Sequence, residues 1–109
     1  MKIDPRTATL DAIRDWFAKR DGWQFQYNSW WHPTIMASVH PYPPTRDGAA
    51  AAMPSGWDWW REPCRINSSQ WVAYTNNNAV RVPDTNNEID DRYRLAALAA
   101  MAMDAKENT

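Results

Sequence analysis

Tryptophan supplies most of the large apolar side chains in this sequence, and this feature constrains the fold more than any other. Eight of the 109 residues are Trp and four are Tyr, whereas Leu, Ile, Val and Phe together number only 14. Such a low aliphatic content is typical of disordered chains when the net charge is high, but here the net charge is -1. Each buried aromatic ring removes roughly 150–250 Å² from water. We therefore expect a folded domain whose core depends on indole rings.

Length and charge exclude several classes of protein. The chain is long enough for one domain over residues 1–109, with no room for a second core. A near-neutral charge disfavours long nucleic acids as partners, because they require a concentrated positive face. The longest charge-free apolar run, Leu95–Met103, is too short to span a bilayer, and the N-terminus lacks the apolar core of a signal peptide. A single Cys, Cys64, cannot form an intrachain disulfide. Together these features predict a cytoplasmic protein that does not associate with membranes.

Capping residues and periodicity predict the order helix, two strands, short helix, three strands, helix. Asp4 is the expected N-cap of a first helix over about 5–20. Thr45 is the expected N-cap of a short alanine-rich helix. The segment Thr85–Glu88 has the spacing of a capping box, which predicts a last helix running to about Lys106.

Aromatic alternation predicts the strands and the layers. Trp23, Phe25 and Tyr27 alternate with polar residues, which is typical of a half-buried strand. The neighbours Trp59 and Trp60 must point to opposite faces of their strand, so that sheet needs cover on both faces. We therefore predict an α+β fold, with an antiparallel sheet of four to five strands and helices on both faces (an α/β/α sandwich).

The last helix is apolar on two sides, which predicts that both sides are covered. We expect one stripe to pack on the sheet and the other to meet either the N-terminal helix or a second copy in a homodimer. The first stripe contains Ile89, Tyr93, Ala96, Ala100 and Met103, and the second contains Leu95, Leu98 and Ala102.

The chain resembles a known family over about residues 11–104. The resemblance rests on a central segment, two tryptophan-containing positions and the last helix: Tyr42, Thr45, Asp47, Ala49, Ala50, Pro54, Gly56 and Trp57; Gly22-Trp23; Trp30-Trp31 with Pro33; and Arg94–Ala100. These residues resemble the phage ABA sandwich domain. The chain departs from that family between Glu62 and Gln70, where Pro63–Ile66 looks like an insertion.

The resemblance implies a small protein encoded by a phage or prophage, with helices on both sides of an antiparallel sheet. It implies no catalytic residues. Small phage proteins of this kind often act in the host cytoplasm by binding another molecule, and counter-defence is one such role. That step is an analogy at the level of the fold.

Residues that could carry chemistry are few. Cys64 with His32 or His40 could form a nucleophile and base or part of a metal site, but one Cys and two His give neither pattern any specificity. Three scattered glycines exclude a phosphate-binding loop. We therefore expect no enzyme activity, no cofactor and no metal.

The adjacent tryptophans suggest a binding surface, because Trp and Arg are enriched at the energetic centres of protein interfaces. We predict a non-enzymatic accessory protein that occludes a host protein, for example as an inhibitor of a defence system of the anti-CRISPR type. The predicted contact residues are Trp30, Trp31, His32, Tyr42, Trp60 and Arg61.

Two alternatives remain open. The first is a sponge that sequesters a small nucleotide or cyclic nucleotide in an aromatic pocket between two subunits, with Arg61 or Arg65 at its mouth. The second is a structural phage protein without a ligand.

Overall fold

The computed structural model describes residues 3–33, 35–65 and 68–107, without the side chains of Cys64, Arg65, Lys106 and Glu107. Three helices and six strands lie within these residues. Their bounds are α1 Leu10–Arg20, β1 Gln24–Gln26, β2 Ser29–His32, β3 Ile35–Ala37, α2 Arg46–Ala52, β4 Asp58–Arg65, β5 Ser68–Thr75, β6 Asn78–Pro83 and α3 Glu88–Glu107.

The strands form two separate antiparallel sheets, so the fold is α+β but the predicted single sheet of four to five strands is wrong. The β1–β3 sheet and the β4–β6 sheet each contain three strands in sequence order. Strands β1 and β3 are only three residues long. After β3 the chain enters the segment Pro41–Pro44, where prolines remove backbone donors, and then α2 carries it away from the sheet. This interruption separates β3 from β4.

Helix α3 lies at the centre of the fold. It packs on β5 and β6 of the second sheet and also on both of the other helices, α1 and α2. Ala96, Ala97, Ala99 and Ala100 are each 0% exposed, because a helix with such short side chains can approach its neighbours closely in several directions. The helix that covers the β4–β6 sheet therefore lies on one face, and the predicted cover by helices on both faces is not found among the described residues. The middle of both apolar stripes of α3 is buried within one chain, at Tyr93, Leu95 and Ala96, whereas Leu98 and Ala102 of the second stripe are only half-buried.

Aromatic rings contribute to the core, but unequally. Trp16, Trp30 and Trp71 are buried at 8%, 6% and 6% exposure, whereas Trp60 is 45% exposed. The largest side chains with almost no exposure include Tyr93 and Phe17. The core is therefore a mixture of aromatic rings and helix alanines.

The N-caps of α1 and α3 lie later in the chain than predicted. Thr9 caps α1 by accepting a hydrogen bond from the N–H of Ala12 at 3.2 Å. Asp4 instead accepts backbone hydrogen bonds within a separate turn that precedes the helix. Asn87 rather than Thr85 accepts the N–H of the first turn of α3. Thr85 instead donates its backbone N–H and hydroxyl to the buried carboxylate of Asp91, at 2.9 and 2.7 Å. The predicted cap of α2, Thr45, is confirmed by its bond from Gly48 N–H.

A register shift in the β4–β5 pair lies between Pro63 and Arg65. This shift falls within the stretch where the sequence departs from the family it resembles. Proline has no N–H to give to a ladder and is commonly found at such irregularities. Ile66, the last residue of the suspected insertion, lies outside the described residues.

Candidate functional site

One face of the β1–β3 sheet is held against α1. Trp30 is 6% exposed, and its ring centroid lies 4.8 Å from that of His40. His40 Nε2 lies 2.8 Å from Asp15 Oδ1 on α1, and His40 Nδ1 accepts the backbone N–H of Tyr42 at 2.9 Å. Because Nδ1 accepts a hydrogen bond, the ring proton is on Nε2 and is donated to Asp15. These contacts fix the position of the sheet relative to α1.

Further contacts form at the C-terminal end of α1. His32 Nε2 lies 2.9 Å from the backbone oxygen of Asp21, and the His32 ring centroid is 5.1 Å from that of Trp23. The Tyr42 hydroxyl donates to the Asp21 carboxylate. Burial, and then this hydrogen bond, raise the pKa of Tyr42 well above its usual value. The polar ends of His32 and Tyr42 are therefore already engaged within the chain.

The remainder of the β1–β3 region presents large apolar side chains to solvent. Among the described residues, six large hydrophobic side chains are exposed, and five of them belong to this region. We call these five the apolar surface: Phe25 (53% exposed), Tyr27 (90%), Ile35 (63%), Met36 (55%) and Val39 (74%). Register places Phe25 opposite Trp30 and Met36 opposite Trp31. Since Trp30 and Trp31 point to opposite faces, the apolar surface includes both faces of this small sheet.

The segment that carries the apolar surface also lacks charge, although Phe25 lines a recess with charged residues of α1, among them Asp15 and Lys19. The sequence contains no Asp, Glu, Lys or Arg between Asp21 and Arg46, although charged residues make up 23% of the chain. The centres of protein interfaces are depleted in charged residues and enriched in aromatic residues and Met. The composition of this segment is therefore typical of an interface centre.

Three of the six predicted contact residues lie on β2, and Tyr42 lies close to them, beside α1. Packing against α1 accounts for Trp30. Trp31 lies on the opposite face of β2, is half-buried, and donates its indole N–H to the Gln26 carbonyl at 3.1 Å. Of the four predicted residues in this region, Trp31 is thus the one whose apolar ring adds to the exposed face of the β1–β3 sheet, next to Met36.

The other two predicted residues lie on β4, in the second sheet. Trp60 packs its ring 4.6 Å from that of Tyr74, while the neighbouring Arg61 lies on the α3 side. Arg61 Nη1 is 3.5 Å from Asp84 Oδ2. Hydrogen bonds from the Ser69 hydroxyl and the Asn86 N–H hold the pKa of Asp84 below its usual value. The structure therefore places the six predicted residues in two sheets.

Sequence reasoning missed the apolar surface because it assigned Phe25 and Tyr27 to a half-buried strand face. In the structure, Tyr27 and Asn28 form the two-residue turn between β1 and β2, with φ values of 53° and 60°. Such a turn has the positive φ values of the type I′ hairpin, and it places Tyr27 at the tip. The run without charged residues was the signal that could have identified this surface.

The described residues show no cluster of three or more His, Cys, Asp or Glu that could hold a metal ion. The side chain of Cys64 lies outside those that the structure describes, so its pairing with a histidine stays a prediction. The two histidines make the contacts given above. The open apolar surface is thus the candidate functional site.

A scan of protein-family models, a search of curated proteins and a search of solved structures each find no match to this chain. The resemblance to the phage ABA sandwich family therefore stays a prediction from the residues. Within the described residues, no helix combines the length and the apolar composition needed to cross a bilayer.

Proposed function

We propose that this chain is a non-enzymatic binding protein that occludes a partner protein with its β1–β3 sheet. The observation that carries the proposal is the exposure of five large apolar side chains within one charge-free segment. Exposed apolar area of this kind lowers stability and solubility unless another molecule covers it. We therefore assign binding to this sheet, and not to a site of bond-making chemistry.

The exposed area is large enough for a specific interface. The five side chains are each more than half exposed. At roughly 150–250 Å² for an aromatic side chain, and somewhat less for Ile, Met and Val, they leave roughly 500–700 Å² open in total. This area is divided between the two faces of the sheet and the hairpin tip, and a standard interface buries about 800 Å² on each partner. The apolar surface thus approaches the area of one side of a protein interface.

The chemistry of the surface favours a protein over other large partners. A peripheral membrane segment combines apolar residues with Lys and Arg that meet anionic headgroups, and nucleic acid requires positive charge. The segment between Asp21 and Arg46 offers neither Lys nor Arg. The two cations that share a recess with Phe25, Arg14 and Lys19, are matched there by Asp11 and Asp15. A partner with an apolar, weakly charged groove is complementary to it.

The shape of the sheet suggests insertion into such a groove. Phe25 and Met36 are exposed on opposite faces, and Tyr27 is exposed at the hairpin tip. Both outer strands, β1 and β3, end the described sheet without a further strand beside them. A partner that closes around the sheet would cover both faces, which a flat contact would not.

The family resemblance supports the biological setting of the proposal. It implies a phage or prophage protein acting in the host cytoplasm, so the proposed partner is a host protein, and a defence component is the proposed class. The alternative of a structural protein without a partner predicts that the apolar surface binds nothing.

The experiment is affinity capture from a bacterial host lysate, followed by reconstitution with the purified partner. Met36→Asp places a charge at an exposed position of β3 and should weaken binding by at least tenfold without lowering the melting temperature, because Met36 is 55% exposed. Trp60→Ala is the matched control, since among the described residues Trp60 is the one large exposed hydrophobic side chain outside the apolar surface. Equal binding by wild type and Met36→Asp, or loss of binding only in Trp60→Ala, would refute the proposal.

A further inference from the structure

The turn at the tip of the first hairpin holds a tyrosine in an unfavourable backbone conformation. Tyr27 has a φ of 53° and Asn28 a φ of 60°, so both central residues of the turn lie in the left-handed region. A two-residue turn of this type requires a positive φ at both positions, which Asn-Gly, Asp-Gly or Gly-Gly normally occupy. For a residue as bulky as Tyr, a positive φ is rare. Tyr27 therefore lowers the stability of the turn.

The side chain of Tyr27 does not offset this cost within the chain. It is 90% exposed, more than any other large hydrophobic side chain among the described residues. A ring that contacts the protein so little contributes almost no buried apolar area. Residues held in sparsely populated backbone conformations cluster at functional sites. Backbone geometry and exposure, two independent observations, therefore both indicate that the Tyr27 ring acts outside the fold.

The base of the turn is fixed, so the ring projects from a defined position. Gln26 pairs with Ser29 directly below the turn. The indole N–H of Trp31 donates to the Gln26 carbonyl at 3.1 Å. A side chain presented from a fixed backbone loses less entropy on binding than one on a flexible loop, and a Tyr ring has only two χ angles to fix. The hairpin thus presents Tyr27 as a preorganised anchor.

The surroundings of Tyr27 specify the chemistry of a complementary pocket. The sequence contains no charged residue between Asp21 and Arg46, so insertion of the hairpin tip brings no unpaired charge into an apolar environment. When a Tyr ring is buried, its hydroxyl usually finds a hydrogen-bond partner. Tyr is also enriched at the energetic centres of interfaces. The complementary pocket is therefore apolar along its walls and has one hydrogen-bonding group at its floor.

We propose that Tyr27 is the anchor of the β1–β3 interface and inserts into an uncharged apolar pocket of the partner protein, where its hydroxyl is hydrogen-bonded. This inference rests on the function proposed above, and it assigns to one side chain a dominant share of the binding energy. Asn or Gly would suit the turn better but would lack the ring. The sequence thus loses stability and gains affinity at this position.

The test compares variants that separate the ring from the turn. Tyr27→Asn supplies a residue that tolerates positive φ but removes the ring, whereas Asn28→Gly relaxes the turn and keeps the ring. In thermal unfolding of the full chain, Tyr27→Asn should melt roughly 3–6 °C above the wild type. The probe for binding is the partner protein that the immobilised wild-type chain retains from a host lysate, used after purification.

Tyr27→Asn should bind this partner at least about thirtyfold more weakly, the loss expected for an interface anchor. Asn28→Gly is the matched control and should bind like the wild type, because it keeps the ring. Tyr27→Phe should weaken binding by only about two- to tenfold, since it removes one hydrogen bond and keeps the apolar contact.

Three outcomes overturn the inference: Tyr27→Asn binds like the wild type, Asn28→Gly loses binding as Tyr27→Asn does, or Tyr27→Asn melts below the wild type. Met36→Asp keeps this failure apart from failure of the proposed function. Loss of binding in Met36→Asp with full binding in Tyr27→Asn refutes the anchor and leaves the interface. Full binding in both variants, or a wild-type chain that retains no partner, refutes the interface and the anchor together.

Discussion

Gly48→Ala should destabilise the protein even though it improves helix propensity. Gly48 lies in α2, where Ala would be favoured by about 1 kcal/mol. A Cβ at this position would lie 2.2 Å from the Pro43 carbonyl oxygen and 2.7 Å from the Tyr93 hydroxyl. These two groups form a 2.5 Å hydrogen bond. The added methyl group therefore displaces a polar contact that fastens α3 to the proline segment.

The magnitude follows from two opposing effects. Overpacking costs about 1–3 kcal/mol, and separating a buried donor from its acceptor costs about 1–3 kcal/mol more. After subtraction of about 1 kcal/mol for helix propensity, the free energy of unfolding should fall by about 1–5 kcal/mol. A loss of 3 kcal/mol corresponds to a decrease in melting temperature of roughly 12–24 °C for a domain of this size.

Urea denaturation followed by circular dichroism measures this change. Ala51→Gly is the matched control, because Ala51 is an exposed residue of the same helix. It should cost about 1 kcal/mol through propensity alone. If Gly48→Ala stabilises the protein by about 1 kcal/mol, the close approach of α2 to Pro43 and Tyr93 is refuted.

Three further predictions concern stability. Trp30→Ala should lower the free energy of unfolding by about 3–5 kcal/mol, and Trp31→Ala by less than half as much, because only Trp30 is buried; equal losses in urea denaturation would contradict this. Burial raises the pKa of Tyr93 to about 12, so the folded state keeps the hydroxyl proton to a higher pH than the unfolded state does. The contribution of Tyr93 to stability is complete below the unfolded pKa of 10 and is lost as the pH rises toward 12. Absorbance titration should show this late ionisation, and Tyr93→Phe should remove it. The hydrogen bond from Arg20 lowers the pKa of Asp104, so the contribution of this pair to stability is present above the pKa of Asp104 in the unfolded chain and is lost as the pH falls. Arg20→Gln should remove this acid-sensitive contribution, which is within about 1 kcal/mol because the pair is partly exposed.

The sequence predicted the local elements better than their assembly. The cap at Thr45 and the alanines after it identify α2 because caps and propensity act within a few residues. Alternation in β1 shows which residues share a face, but it does not show whether another layer covers that face. The sequence therefore predicts that Phe25 is half-buried, although its side chain is 53% exposed in the structure.

The central position of α3 illustrates a second limit. The two apolar stripes of α3 predict that both sides are covered; Tyr93 and Leu95 are buried, but Leu98 and Ala102 remain partly exposed. Whether α1, a sheet or a second copy provides the cover depends on contacts between distant parts of the chain. The same holds for the recess that Trp59 lines together with Arg61 and Arg92, because these two arginines are brought together only by the packing of α3 on the β4–β6 sheet.

Site-specific photo-crosslinking tests the proposed binding surface most directly. A photo-reactive phenylalanine analogue replaces Tyr27 or Met36 on the apolar surface, and Trp60 or Tyr74 on the β4–β6 sheet. We expect a covalent partner adduct from positions 27 and 36 and none from positions 60 and 74. Adducts only from positions 60 and 74, or no adduct from any position in host cells, would contradict binding through the β1–β3 sheet.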